Sequence, residues 1–185
     1  MMNTLETIEP QSQLVLRILQ AAKGEIEGRT RIQKIVYLIE EIGNSSNFFY
    51  SYHHYGPYSE ELTDTLNILK HVDEKIIEER RDFEDSQGFT AVFQLKGAQN
   101  SSSDQEASAE SVSFEKMQQY VTLMKKKSST CLEIAATIHW LICKRKVQNW
   151  EDELVILKGN KARPEILQQS RELLEELGIP IETLH

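Results

Sequence analysis

The sequence predicts a mainly α-helical protein with a small antiparallel β hairpin: a winged-helix-like N-terminal half followed by a C-terminal helical part. Three observations predict it. Apolar residues recur at helical spacing through most segments of the chain. Two short runs, residues 76–79 and 89–95, read as strands flanking a charged turn. An aromatic run, Phe48-Phe49-Tyr50-Ser51-Tyr52-His53-His54-Tyr55, ends in Gly56-Pro57-Tyr58-Ser59, and the Gly-Pro pair interrupts any regular element there.

The elements follow in order. Residues 12–23 carry Leu14, Val15, Leu16, Ile18, Leu19 and Ala22 on one broad helical face, and Gly24 ends that helix. Residues 25–27 allow a brief extended segment. Thr30 is positioned to cap a second helix, with Ile32, Ile35, Val36, Leu38, Ile39 and Ile42 inward and Arg29, Arg31 and Lys34 on its front and polar side. Ser59 is the expected N-cap of a third helix over 59–72, with Glu60 and Glu61 at its positive end. Leu62, Leu66 and Leu69 form its buried stripe. The two strands then make a hairpin.

Residues 97–113 change character. They are rich in Ser, Ala, Gln and acidic side chains, with Val112 as the one large apolar residue. Such a segment buries too little surface to offset its ordering entropy, so it reads as a flexible linker or insertion. The division is therefore 1–96, winged-helix-like; 97–113, linker; and 114–185, a helical part packed on the first. In that last part Phe114, Met117, Val121 and Met124 share one helical face. Residues 131–143 are apolar nearly all round and predict the central helix of this half. A shorter helix runs over 150–158, and Pro164 suits the first position of a final one.

The chain has 185 residues and a formal net charge of −8. An acidic balance argues against wrapping nucleic acid, because phosphate neutralisation drives that affinity. No apolar run approaches a membrane span, and the N-terminus lacks a signal pattern. Cys131 and Cys143 fall in one helical run, too far apart along it to pair, and read as reduced and buried; this fits a cytoplasmic protein.

The second helix and the corner narrow the reading. Thr30-Arg31-Ile32-Gln33-Lys34-Ile35-Val36-Tyr37-Leu38, followed by Tyr52-His53-His54-Tyr55-Gly56-Pro57-Tyr58-Ser59-Glu60-Glu61-Leu62, resembles the YwgA-like and SocA-like antitoxin proteins, the Panacea group. Leu132-Glu133-Ile134-Ala135-Ala136-Thr137-Ile138-His139-Trp140-Leu141 and Leu157-Lys158 look like the later part of the same pattern. Gly159 stands where that pattern has a proline. The resemblance covers most of residues 14–178. It implies a small prokaryotic cytosolic protein of a group in which some members neutralise toxins by direct binding, one acts as a proteolytic adaptor and many are uncharacterised.

The candidate residues carry a binding function better than a catalytic one. Tyr37, Tyr52, His54, Tyr55 and Tyr58 combine flat apolar faces with polar tips and are the expected partner-binding set, some of them packing the corner instead. Gly56, Pro57 and Ser59 are the expected structural turn and cap. Adjacent His53 and His54 point to opposite sides of a strand and do not share a metal easily; the pattern calls for no metal and no cofactor. Glu133 and His139 lie far apart around one helix and read as satisfied polar contacts. No Ser-His-Asp order, phosphate-cradling glycine loop or usable carboxylate pair stands out, so the expectation is a non-enzyme. The expected function is an antitoxin-like regulatory module whose partner is a protein, a toxin or a protease substrate, with a homodimer left open. The alternative is a winged-helix transcription regulator. DNA is disfavoured because Glu60, Glu61 and Asp64 open the helix that would enter the groove, although Arg80 and Arg81 in the wing could touch a phosphate backbone.

Overall fold

A computed structural model of the chain describes residues 4–83, 88–97 and 112–181, with the side chains of residues 4–8 left aside. The fold is mainly helical with two small antiparallel sheets. Its first half runs α1 (Thr4–Ala21), β1 (Glu25–Glu27), α2 (Arg29–Ile42), β2 (Ser51–His53), β3 (Gly56–Tyr58), α3 (Glu60–His71), β4 (Ile76–Asp82) and β5 (Phe89–Leu95). The second half runs α4 (Phe114–Lys126), α5 (Ser129–His139), α6 (Trp150–Lys158) and α7 (Pro164–Glu176). A π-helical turn, Trp140–Lys144, extends α5, and a 3-10 turn, Gly159–Ala162, follows α6.

The winged-helix-like order holds. β4 and β5 form the expected hairpin, pairing from Ile76 opposite Leu95 to Asp82 opposite Phe89. The brief segment at residues 25–27 becomes a third strand: β1 adds to the free edge of β5, Ile26 opposite Phe93, giving the order β1-β5-β4. This pairing satisfies backbone groups that a lone three-residue strand would leave open.

Several local expectations need correction. α1 begins at Thr4 and runs through Pro10, which removes one N–H from the ladder without ending the helix. Gly28, not Thr30, precedes α2, and no side chain caps that end. The Gly-Pro pair does not lie outside regular structure: it belongs to β3. Cys143 is exposed, whereas Cys131 is buried. The ladder widens to a π-helical turn after His139, and position 143 lies beyond the core on that turn. The linker expectation for residues 97–113 falls mostly on residues 98–111, outside the described residues; Val112 packs on the core and Ser113 caps α4.

One apolar cluster draws on both halves, from Val15 and Ile18 of α1 to Leu173 and Leu174 of α7. At its centre α2 lies against α5. Residues 32–40 of α2 and 131–139 of α5 are all buried. Neither helix therefore has a wholly polar face, and every polar side chain on these stretches must find an internal partner.

β2 and β3 form a tight hairpin seated on these two helices. Pro57 stands opposite Tyr52, between the pairs Ser51–Tyr58 and His53–Gly56. Paired positions alternate between bonded and unbonded, and proline, having no N–H, fits the unbonded one. Gly56 has φ 84°, and a Cβ built there would lie 2.8 Å from Thr137 Oγ1. Replacing Gly56 by Ala should cost about 2–4 kcal/mol, the sum of a left-handed backbone penalty and overpacking against α5. Urea unfolding of the Gly56→Ala variant checks this; an unchanged midpoint would show that the hairpin is not seated on α5.

Candidate functional site

The sharp corner leaves backbone groups that its own two short strands cannot satisfy. α2 supplies partners for them. Gln33 Nε2 donates to Ser59 O at 2.9 Å, while Ser59 N donates to Gln33 Oε1 at 3.0 Å, so one side chain pairs with that residue's backbone like a strand. One position on, Lys34 Nζ donates to Pro57 O at 2.5 Å. From the other half, Lys158 Nζ, at the end of α6, donates to His54 O at 2.8 Å. Ser59 Oγ accepts from Leu62 N at 3.2 Å, the predicted cap of α3.

These lysines are inside the protein. Lys34 is 1% exposed and the Lys158 side chain also 1%. Glu133 of α5 is the carboxylate among them. Its Oε1 accepts from Lys158 at 2.9 Å, and both of its oxygens accept from Lys161 on the 3-10 turn, at 3.2 and 3.1 Å. Burial pushes the Lys34 ammonium down to about 7; Glu133 opposes that shift and the Lys158 charge adds to it. Burial likewise lowers Lys158, against its bond to Glu133. The Lys161 ammonium also lies 4.6 Å from the Tyr55 ring centre, and Lys158 lies 5.4 Å from that of Tyr52.

Behind the hairpin runs an aromatic stack. Tyr37 meets Tyr50 at 4.9 Å and Trp140 at 6.3 Å, and Trp140 meets Tyr52 at 6.4 Å between ring centres. The Tyr37 hydroxyl and His139 Nδ1 share a hydrogen bond of 2.6 Å. His139 Nε2 faces Glu41 Oε2 at 3.7 Å, and Glu41 pairs with Lys144 at 2.8 Å. Burial holds His139 below the usual imidazole range and pushes the Tyr37 phenol up, so both are neutral near pH 7.

The expected partner-binding set is thereby divided. Tyr37 lies wholly in the core, because α2 is enclosed on all sides, and it is not a surface residue. Tyr52 and Tyr58 are half-buried; the Tyr58 hydroxyl bonds Thr63 Oγ1 at 2.8 Å. His54 and Tyr55, at the hairpin tip, face outward. Glu133 and His139 do hold the satisfied polar contacts expected of them. In the wing, Arg80 pairs with Asp82 and lies over Phe89, and Arg81 reaches Glu25 and Glu27. Arg31 closes the end of α4 through Lys125 O and Lys127 O. Glu60, Glu61 and Asp64 are exposed on the start of α3. Among the described residues no three His, Cys, Asp or Glu side chains converge as metal ligands, and no helix is long and apolar enough to cross a membrane.

No protein-family model matches the chain. It is 27% identical over 160 residues to the uncharacterized protein YwgA of Bacillus subtilis (strain 168), a match spanning 83% of this chain and 89% of that protein. The relationship is YwgA-like and runs through both halves of the fold.

Sequence reasoning missed Lys34, Lys158 and Lys161 as members of the corner. A signal was present for the first. Lys34 lies one turn before Tyr37 and Leu38, at i+3 and i+4, and both are apolar or aromatic. Glu133 carried a second signal, since a single carboxylate on an otherwise apolar helix needs an internal cation.

The Lys34 environment sets a pH dependence. Its pKa is about 7 in the fold against 10.5 ordinarily. Between those values the unfolded chain holds a proton that the folded chain has shed, so this contribution to stability is smallest below pH 7 and grows towards pH 10.5. Urea titrations from pH 7.5 to 9.5 should show wild-type stability rising relative to Lys34→Met by on the order of 1 kcal/mol per pH unit. Parallel pH profiles would mean that Lys34 is not held in this buried state.

Proposed function

We propose that this protein is a non-enzymatic regulatory interaction module, antitoxin-like, that binds a partner protein and neutralises or adapts it. The observation that carries the reading is a pair of exposed apolar sites, each on a fixed mount. Tyr55 is 54% exposed at the hairpin tip, and Ile156 is 77% exposed on α6 beside the exposed Val155. The two elements are tied to each other through Lys158 and His54 O. Large apolar side chains held in place by a preorganised backbone lose little entropy on docking, which favours their use as anchors. The resemblance of the Thr30–Leu38 and Tyr52–Leu62 blocks to antitoxin proteins points the same way.

The acidic start of α3 does not favour the regulator alternative, since a groove-reading helix meets phosphates there. Co-purification with the products of adjacent genes, together with rescue of cells from a neighbouring toxin, tests the proposal. Ile156→Asp should weaken the captured complex by about 2 kcal/mol, roughly 30-fold in Kd, with an unchanged thermal midpoint. A chain that captures no adjacent gene product and rescues no cells would contradict the proposal.

A further inference from the structure

The corner is short of negative charge. Lys158 and Lys161 both bond the single carboxylate of Glu133, and Lys34, bonded to Pro57 O, feels the charges of Glu133 and Lys158. The nearby Arg145–Glu153 pair, 3.1 Å apart, cancels itself. This surplus of positive charge sits in a protein whose net charge is −8. Burial holds the Lys34 ammonium down to about 7, with the Lys158 charge adding to that shift, and Lys158 and Lys161 are left to share one carboxylate. One member of the cluster is open to the outside: the Lys161 side chain is 38% exposed and lies against the Tyr55 ring at the hairpin tip.

We infer that Lys161, backed by Lys158, receives a carboxylate side chain of the partner protein, flanked by an apolar partner residue against Tyr55. The inference rests on the interaction-module reading and names the partner's chemistry. An Asp or Glu supplies the anion that the cluster lacks, and it reaches the one lysine that solvent also reaches. Charge complementarity at such a rim selects partners and sets register. A polyanion such as nucleic acid meets a chain whose net charge is −8.

Selection of a phage-displayed random heptapeptide library on the intact chain tests the site without the natural partner. Wild type should enrich peptides with Asp or Glu next to a large apolar residue. Lys161→Ala should weaken a selected peptide about tenfold. Lys161→Glu should turn the enrichment towards Lys and Arg, with thermal midpoints confirming that both variants fold. An acid-free consensus, no enrichment at all, or a consensus unchanged in Lys161→Glu would overturn the site, as would tighter binding of a dT12 oligonucleotide than of any peptide. An acidic consensus without any co-purifying partner would leave the site standing and remove the antitoxin-like reading. A captured partner indifferent to Lys161→Glu would do the reverse.

Discussion

Two lysine side chains reach backbone carbonyls of one sharp corner, and the seating of that corner depends on those bonds. A hairpin of two three-residue strands cannot satisfy all of its own backbone, and a buried carbonyl without a donor costs about 1–3 kcal/mol. Lys34 brings a donor from α2 to Pro57, and Lys158 brings one from the end of α6 to His54. Both donors are buried: Lys158 is tolerable as a cation because Glu133 of α5 faces it, and burial lets Lys34 shed its proton readily while still donating an N–H. A turn near residue 56 thus fixes where helices from both halves stand. Gly56 adds the steric part of the same constraint, since only a residue without Cβ passes Thr137 this closely.

This anchoring engages basic side chains of the winged-helix-like part inside the fold. Of the basic side chains that begin α2, Arg31 closes α4 and Lys34 holds the corner, while Arg29, largely exposed, pairs with Glu78. The outward features belong to the hairpin tip, to the Lys161 turn beside it and to the far side of α6, and Lys158 joins α6 to the hairpin. The proposed partner site is therefore a product of both halves of the chain. The short turn after α6 needs its own explanation. Gly159 has φ 51°, a value that a proline ring near −65° cannot adopt, so a proline at this position is incompatible with this particular turn.

Much of the fold was legible in the sequence, for identifiable reasons. The periodicity of Leu62, Leu66 and Leu69, the Ser59 cap and Pro164 at the start of α7 are local signals that survive into the structure, unlike the Thr30 cap. β1 was only half legible, because a strand of three residues is defined by its partner β5 and not by its own pattern. The same limit hid most of the site. Lys34, Glu133 and Lys158 meet across long stretches of chain, and nothing in the residues around Lys158 marks it as buried. Tyr37 misled for a related reason: its polar tip suits a surface, yet His139 provides the hydrogen bond that lets it enter the core.

The central claim is that the corner is fixed by the core and has no independent freedom. Amide hydrogen exchange at pH 7, followed residue by residue, tests it most directly. Tyr58 and His53 amides should be protected to the same degree as the Ile134 and Ile138 amides of α5, exchanging only when the whole protein unfolds. Rapid exchange at Tyr58 and His53 while α5 stays protected would mean that the hairpin opens by itself, and the account of a fixed mount would be wrong.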